Sequence, residues 1–469
     1  MDYRLNDTIC AVSTAAGVGG IAVIRVSGGE AVSIADKLFC PMGKGTSLQA
    51  RKPNTLAYGE ICDEAGEVID QVVVSLFRAP HSFTGEDTVE ISCHGSLYIR
   101  QRIVELLIRS GCRGAGPGEF TRRACANGKL DLSQAEAVAD LIASTSEATH
   151  RLAMNQMRGG FSRELADLRT QLLEFVSLVE LELDFSEEEV EFADRARLTT
   201  LAHHIAAVIT RLADTFQRGN AIKNGIPTII VGETNAGKST LLNRLLHDER
   251  ALVSDVHGTT RDTVEDTINL QGVTFRFIDT AGIRDTADTV ENMGIDRTFA
   301  KLSQADIVLW TIDGTQPVPH MEALAHKLIP LCTGKHLIVI VNKTDLLDDS
   351  RLTAIHDSLT ALGISPHSIM NISARNDTDI APLENRIATL ANADDTGSDV
   401  IVTNARHYEA LIRAQKSIER ACEGLACNYP GDLLSQDIRE TMHHLGEITG
   451  EITTDEILGN IFKNFCIGK

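Results

Sequence analysis

The sequence has few features of a secreted or membrane protein. Its 469 residues contain no apolar run close to the roughly 20 residues that a membrane-spanning helix needs. The first residues lack the basic and apolar regions of a signal peptide. Its 10 cysteines include no CxxC pair, which favours reduced thiols over a disulfide framework or a zinc site. We therefore expect a cytoplasmic protein without integral membrane association.

Positive charge is also scarce. The chain has 44 Lys and Arg against 65 Asp and Glu, a formal net charge of -21. An acidic surface repels a phosphate backbone, so the charge by itself argues against a nucleic-acid partner. The hydrophobic fraction of 43% is that of a globular protein, which excludes general disorder.

Strand and helix patterns divide the chain into four zones. Residues 1–120 alternate β-branched runs with turns and include one helical segment at 96–110, which predicts an α+β domain. Residues 121–219 contain an apolar stripe at helical spacing and no proline, and residues 386–469 contain a second such stripe. Residues 220–385 alternate strands with helix-length segments, which predicts a mostly parallel sheet covered on both faces. The simplest arrangement is one helical domain with the α/β domain inserted into it.

A phosphate-binding loop is predicted early in the α/β zone. The strand Thr228–Val231 runs into Gly232-Glu-Thr-Asn-Ala-Gly-Lys-Ser239, a complete GxxxxGK[ST] pattern followed by a helical segment. The glycines allow successive backbone N–H groups to face the phosphates. We expect Lys238 to reach the β- and γ-phosphates and the Ser239 hydroxyl to bind Mg²⁺.

Three further motifs indicate that the nucleotide is GTP. Asp279-Thr-Ala-Gly282 follows a strand, where a metal-shell carboxylate and a γ-phosphate sensor belong, and Asn342-Lys-Thr-Asp345 follows another. The Asp345 carboxylate can accept hydrogen bonds from guanine N1–H and from the exocyclic amine, donors that adenine lacks. Ser373-Ala374 suits the loop that supports the base. The four motifs in this order predict a GTP-binding domain.

The usual water-orienting residue is missing. Ras-type proteins place a Gln directly after the DxxG motif, and Ile283 has no polar group to take that role. Another residue or a partner must orient the water, and the following segment offers Asp285, Asp288 and Glu291.

Motifs along the whole chain resemble the MnmE (TrmE) family of tRNA-modifying GTPases. The matching segments are 82–87, 116–120, 129–132, 232–239, 258–262, 279–284, 290–295 and the terminal 465–469. Two stretches depart from the family pattern: Thr234 replaces a usual Pro, and residues 15–20 lack the common Pro and Arg. The resemblance implies a multidomain fold with a folate-binding-like α+β domain (1–120), a discontinuous helical domain (121–219 and 386–469) and an inserted Ras-like P-loop G domain (220–385).

The resemblance also implies an activity and partners. The family is a K⁺-dependent GTPase and homodimer that works with FAD-containing MnmG (GidA) in a heterotetramer or larger complex. The two proteins add a carboxymethylaminomethyl or aminomethyl group to C5 of the wobble uridine of certain tRNAs. A folate, 5-formyl-tetrahydrofolate or a relative, is the implied one-carbon donor.

The resemblance implies roles for individual residues of the GTP site. Asn235, Ser254, Val256 and Thr259 would bind K⁺, Thr260 would be the second Mg²⁺ ligand, and Glu291 would orient the water beside the catalytic Lys238. The expected nucleotide and ion contacts are Asn235, Ala236, Gly237, Lys238, Ser239, Thr240, Ser254, Asp255, Val256, His257, Gly258, Thr259, Thr260, Asp279, Thr280, Ala281, Gly282, Asn342, Lys343, Asp345, Ser373 and Ala374.

A second set of residues is implied for the folate. Arg25, Glu90, Lys129 and Lys469 would contact it, since cations suit its glutamate tail and a carboxylate accepts pterin N–H donors. Cys466 is either a buried structural thiol or a catalytic residue that reacts with the uridine or the folate.

One stretch of the acidic chain is locally basic. Between residues 100 and 129, seven cations face only Glu105 and Glu119; they are Arg100, Arg102, Arg109, Arg113, Arg122, Arg123 and Lys129. Either they are solvated helix and loop charges, or they form a contact for tRNA or for the folate tail.

Two other functions remain open. A regulatory GTPase of ribosome assembly would explain the G domain without modification chemistry, but it leaves the N-terminal domain without a role. A folate-dependent one-carbon transferase regulated by GTP would explain the N-terminal domain. Loss or retention of the wobble-uridine modification in tRNA distinguishes these functions.

Overall fold

A computed structural model describes residues 7–43, 45–184, 195–247, 266–278, 301–376, 379–392 and 400–452, together with residues 458, 461, 462, 465 and 468. The chain forms two compact units. The first contains Met1–Ile142, Met154–Ile209 and Ala410–Lys469, and the second contains Ala143–Ala153 and Thr210–Glu409. Across the described ranges, every helix is too short or too polar to cross a bilayer.

The strands build one sheet in each unit. Those of the first unit are β1 (Ile9–Val12), β2 (Gly19–Ser27), β3 (Phe39–Pro41), β4 (Thr55–Cys62), β5 (Val68–Phe77), β6 (Thr88–Gly95) and β7 (Arg113–Gly114). Those of the second are β8 (Ile226–Val231), β9 (Asp266–Leu270), β10 (Val273–Ile278), β11 (Ile307–Asp313), β12 (His336–Asn342) and β13 (Ile369–Asn371).

The α-helices of the described chain follow in order. They are α1 (Ala31–Leu38), α2 (Leu97–Arg109), α3 (Glu119–Ala126), α4 (Leu132–Ala143), α5 (Glu147–Met157), α6 (Gly160–Asp184), α7 (Arg195–Asp214), α8 (Phe216–Asn224), α9 (Lys238–His247), α10 (Val318–Leu328), α11 (Asp349–Ala361), α12 (Ile380–Asn392), α13 (Ala405–Ala426) and α14 (Gly431–Thr449). Short 3₁₀ helices occupy Ile329–Cys332, Thr344–Leu346 and Pro366–Ser368.

The sheet of the first unit is mixed and has the order β3-β4-β5-β6-β2-β1-β7. Its strands pair antiparallel, apart from β1 with β7. Along β5, buried Val72, Val74 and Leu76 alternate with side chains that point to the opposite face, and α1 and α2 pack against the sheet. This alternation is typical of a sheet with one covered face. The predicted α+β domain is present.

The two predicted helical stripes are core. Leu172 and Phe175 of α6 and Leu411 and Ile418 of α13 are fully buried. Helix α14 packs against α6, although the two are separated in sequence by the whole α/β zone. The helices on either side of that zone therefore belong together, as expected.

The sheet of the second unit has the order β13-β12-β11-β8-β10-β9 and is parallel except for β9 with β10. All seven residues of β11 are buried, as expected for a strand covered on both faces. One apolar cluster joins the sheet to α9 and α12, and a second joins it to α10 and α11. The predicted α/β architecture is confirmed.

Candidate functional site

The phosphate loop lies at the carboxyl end of β8, between that strand and α9. Strand β8 is central, flanked by β10 and β11, and in such sheets ligands bind at the carboxyl ends of the strands. Gly232 must be glycine, because a Cβ there would lie 2.1 Å from the Thr311 carbonyl oxygen. Helix α9 begins at Lys238, so its N-terminus faces the loop and favours an anion.

Lys238 is held inside this loop. Its Nζ donates hydrogen bonds to the carbonyl oxygens of Gly232 at 2.8 Å and Glu233 at 2.6 Å. Burial lowers the pKa of Lys238, and the Glu233 carboxylate partly offsets that effect. A phosphate would provide the negative charge that this half-buried ammonium requires, so the residues fit the nucleotide that the motif predicts.

Asn342 connects the phosphate loop with the loops predicted to bind the base. Its buried side chain donates from Nδ2 to the Ala236 carbonyl at 2.8 Å. Its Oδ1 accepts from the backbone N–H of Lys343 at 2.8 Å and of Ala374 at 3.0 Å. Gly237 lies against it with φ +93°, and a Cβ there would be 2.1 Å from Nδ2. The sequence predicted Asn342 as a base-site residue but not this connection.

The remaining base-site residues surround Asn342. Lys343 has a left-handed φ of +62°, and its Nζ lies 2.7 Å from Asp313 Oδ2. Burial acts to raise the pKa of Asp313, but the bonds from Lys343 and Thr315 outweigh it and hold the pKa below its usual value. Asp345 is exposed in the 3₁₀ helix Thr344–Leu346, where its carboxylate is accessible to guanine.

The structure therefore brings the described part of the predicted GTP site to one edge of the sheet. Asn235 is exposed with φ +61°, Ser239 is half-buried and Thr240 is exposed. Ser373 is buried, and its N–H donates to Asp379 Oδ2 at 2.8 Å. The predicted residues outside the described chain are Ser254, Asp255, Val256, His257, Gly258, Thr259, Thr260, Asp279, Thr280, Ala281, Gly282 and Glu291.

In the first unit, Arg25 lies among the groups predicted to hold a folate. Arg25 on β2 is the register partner of Glu90 on β6, and its Nε and Nη2 lie 2.9 Å from Glu90 Oε1. The guanidinium carbon is 5.0 Å from the centre of the Phe83 ring and 5.6 Å from that of Phe120. Phe83 and Phe120 were not predicted from the sequence. The arrangement offers a cation, a carboxylate and two aromatic rings.

Lys129 and the C-terminal segment approach the same part of the unit. Lys129 is exposed, and its Nζ donates to the Pro80 carbonyl at 3.1 Å, in the loop that also contains Phe83. Ser13 Oγ donates to the Gly468 carbonyl at 2.9 Å, just after β1. Cys466 and Lys469 lie outside the described residues, although Gly468 is held against the N-terminal sheet.

The basic stretch between residues 100 and 129 is not a free cationic patch. Arg100 and Arg123 are 6% and 1% exposed. Arg102 and Arg109 pair with Glu105, and Arg113 pairs with carboxylates as well. The hypothesis of a tRNA contact here is therefore not supported, because most of these charges are already compensated within the chain.

Two models of one protein family match most of the chain. The family model for the GTP-binding protein TrmE N-terminus matches residues 8–129, and the model for the MnmE helical domain matches residues 132–466. The tRNA modification GTPase MnmE of Bacteroides fragilis is 57% identical over 466 residues, which cover 99% of this chain and 100% of that one. The chain belongs to the MnmE family.

A second relative has the same name. The tRNA modification GTPase MnmE of Parabacteroides distasonis is 58% identical, over 98% of this chain and 100% of that one. Among solved structures, a variant of Aquifex aeolicus Era bound to GDP.AlF4- matches 41% of this chain and 66% of its own at 28% identity, with a TM-score of 0.28. The assignment to the MnmE family therefore rests on the family models and the full-length relatives.

Proposed function

We propose that this MnmE-family chain is a GTP hydrolase that acts in tRNA modification. The observation that supports GTP most directly is the side chain of Asn342, which bonds to the phosphate loop at Ala236 and to the base loop at Ala374. One buried residue thus fixes the distance between the phosphate site and the guanine site. Full-length similarity to proteins named tRNA modification GTPase supports the second half of the proposal.

Nucleoside analysis of tRNA is the decisive test. A strain that lacks this protein should lose a modified wobble uridine and recover it with the wild-type chain. The purified chain should hydrolyse GTP and leave ATP intact. Unchanged tRNA nucleosides, accompanied by accumulated ribosome precursors, would instead favour a regulatory GTPase of ribosome assembly.

The proposed chemistry includes two cations. Mg²⁺ would be held by Ser239 and Thr260, and K⁺ by Asn235 with Ser254, Val256 and Thr259. Asn235 is exposed next to buried Ala236, so its side chain is accessible to an ion over the phosphate loop. A fixed monovalent cation provides the positive charge that an arginine finger provides elsewhere. We expect faster GTP hydrolysis in K⁺ than in Na⁺, and equal rates would contradict the role of Asn235.

We further propose that the first unit binds a folate, 5-formyl-tetrahydrofolate or a relative, through Arg25, Glu90, Lys129 and Lys469. The rings of Phe83 and Phe120 beside Arg25 suit a flat pterin, and Glu90 can accept its N–H donors. Bound folate would supply the one-carbon unit, and the Cys466 thiol would react with the folate or with the uridine. Calorimetric titration should show binding to the wild type and weaker binding to Glu90→Gln, with Glu105→Gln on α2 as the control.

We propose a homodimer formed by the open face of the N-terminal sheet. Ile21, Leu56 and Tyr58 are more than half exposed there, and Tyr58 is the register partner of exposed Val73. An apolar face that spans several strands favours a protein interface over solvent. Tyr58→Asp should give monomers in analytical ultracentrifugation, whereas Tyr429→Asp, in the helical part of the unit, should leave the dimer intact. A dimeric Tyr58→Asp protein would exclude this face.

The wider assembly follows from the same proposal. FAD-containing MnmG (GidA) would join the dimer in a heterotetramer or larger complex to build the carboxymethylaminomethyl or aminomethyl group on the wobble uridine.

As domains we propose residues 1–120, 121–219, 220–385 and 386–469. Residues 120, 219 and 385 lie within α3, α8 and α12, so each of these three boundaries falls inside a helix and not at its end.

A further inference from the structure

Asp313 is a buried carboxylate at the edge of the GTP site that the sequence motifs did not identify. It ends β11 and is the register partner of Asn342, which ends the neighbouring strand β12. Its side chain is 4% exposed, and its Oδ2 accepts a hydrogen bond from Lys343 Nζ at 2.7 Å. Its Oδ1 accepts from the backbone N–H of Thr315 at 3.0 Å and from the Thr315 hydroxyl at 2.6 Å. The carboxylate therefore cannot rotate without losing bonds at both oxygens.

The turn that follows Asp313 is fixed to its surroundings as well. The Gly314 N–H donates to the Asn342 carbonyl at 3.1 Å. The Gln316 N–H donates to the Asp313 carbonyl, also at 3.1 Å. From α11, Arg351 Nε donates to the Gly314 carbonyl at 3.3 Å. A side chain supported in this way keeps its position without help from a ligand.

We infer that Asp313 is a positioning residue of the guanine site, which holds the Lys343 side chain in place before the nucleotide binds. The backbone of Lys343 has a left-handed φ of +62°, and its ammonium is paired with Asp313, so the side chain is held at both ends. The methylene groups between these ends then form a fixed apolar surface two residues before Asp345. The inference rests on the GTP-binding function proposed above.

A side chain that is ordered in advance should slow the release of the nucleotide. Ordering a long side chain only when the ligand binds weakens binding by up to about tenfold. The opposite effect is expected if Asp313 competes with the nucleotide for the Lys343 ammonium, because removal of the carboxylate charge would then tighten binding. The direction of the change therefore distinguishes positioning from competition.

Release of a fluorescent GDP from the full-length chain, chased with excess unlabelled GDP, measures this effect. Asp313→Asn keeps the size of the side chain and removes its charge, and it should release GDP about five- to tenfold faster than the wild type. The matched control is Asp306→Asn, since Asp306 precedes β11 at the opposite end of the same strand. This control should release GDP at the wild-type rate.

A double variant separates positioning from a purely structural role. Lys343→Met keeps an apolar stem without the ammonium, so the addition of Asp313→Asn to it should accelerate release no further. A structural role of Asp313 would add its effect in both backgrounds. Thr315→Val removes one bond to Oδ1 and should accelerate release by a smaller factor; it is judged by the same criteria if Asp313→Asn does not fold.

Two results would overturn the positioning role. One is release from Asp313→Asn at the wild-type rate or more slowly, and the other is an equal acceleration in the Lys343→Met background. A wild-type chain that does not bind GDP would refute the proposed GTP site itself, and this inference with it.

Discussion

Asn342 is the residue on which the geometry of the GTP site most depends. Removing its side chain would leave the Ala236 carbonyl and the Ala374 N–H without their partners. Each buried polar group left unsatisfied costs about 1–3 kcal/mol. We expect Asn342→Ala to weaken GDP binding at least about tenfold, since about 1.4 kcal/mol corresponds to that factor.

Titration with a fluorescent GDP measures the effect of Asn342→Ala. Asn371→Ala is a suitable control, because Asn371 is exposed at the end of β13 and bonds only to His356 among the contacts described for its side chain. Equal affinities for Asn342→Ala and wild type would show that the bond to Ala236 does not hold the phosphate loop.

Glu291 is the residue proposed to orient the attacking water, because Ile283 cannot. We expect Glu291→Ala to abolish hydrolysis while GTP still binds, since the carboxylate would act on the water and not on the nucleotide. Single-turnover hydrolysis and equilibrium binding separate these two effects. Asp285→Ala is the control and should retain most of the activity; wild-type turnover in Glu291→Ala would end the assignment.

For single residues, the sequence predicts which residues form the GTP site, but it does not predict which contacts their side chains make. The motif patterns identified Lys238, Asn342 and Asp345 because their chemistry follows from a short local pattern. The bond from Asn342 to Ala236 spans 106 positions, so a local pattern contains no sign of it. The burial of Arg123 was missed for the same reason, since its partner Asp7 is 116 positions away.

Among the elements, α3 is attached to the N-terminal sheet by a buried ion network. Arg123 bonds to Asp7, Glu86 and Glu119, and Arg113 bonds to Asp7 and Glu119. Because breaking such a pair leaves uncompensated buried charge, Arg123→Met should destabilise the first unit by about 3–5 kcal/mol. Arg109→Met removes an exposed pair on α2 and should change stability by about 1 kcal/mol or less.

Calorimetry of the full chain tests this difference. The transition of the first unit should move to lower temperature in Arg123→Met and stay near the wild-type value in Arg109→Met. If the two variants melt at the same temperature, the network contributes no more than a surface ion pair.

The same network predicts how stability depends on pH. Burial acts to raise the pKa values of Asp7 and Glu119, but bonds from Arg113, together with Arg123, outweigh it and lower both below their ordinary 3.8 and 4.5. A carboxyl with a depressed folded pKa stabilises the protein above its unfolded pKa and loses that contribution as pH falls through the folded value. The first unit should therefore melt progressively earlier below about pH 4.5, and Arg123→Met should reduce this dependence. An unchanged pH profile in the variant would contradict the network.

Element prediction from the sequence succeeded where a pattern was long enough to show its period. Strand β8 and helix α2 have six or more residues and were predicted close to their observed bounds, at 228–231 and 96–110. Strands β3 and β7 have three and two residues, too few to show alternation. The edge strand β3 could therefore be recognised only from the structure.

For the whole molecule, the order of patterns was sufficient to predict the inserted architecture. Two apolar helical stripes on either side of an α/β zone must each be buried against another apolar surface, and the fold buries both, on α6 and on α13. Net charge was less informative, because it counts residues without regard to their partners. The locally basic stretch became a set of ion pairs once Asp7, Asp63 and Glu86 were brought near it by the fold.

This distribution of charge leads to a prediction for tRNA binding. The chain has a net charge of -21, and the cations between residues 100 and 129 are mostly compensated, so we expect the chain alone to bind tRNA weakly and the proposed FAD-containing partner to provide most of the affinity. Replacing Arg102, Arg109 and Lys129 together by Gln should leave the salt dependence of the complex unchanged. If the three side chains contacted phosphates, the slope of log affinity against log salt would fall by about two to three units. Fluorescence anisotropy of labelled tRNA, titrated with the wild-type and triple-variant complexes over a range of salt concentrations, distinguishes the two cases; a slope reduced by that amount would restore this stretch as a tRNA contact.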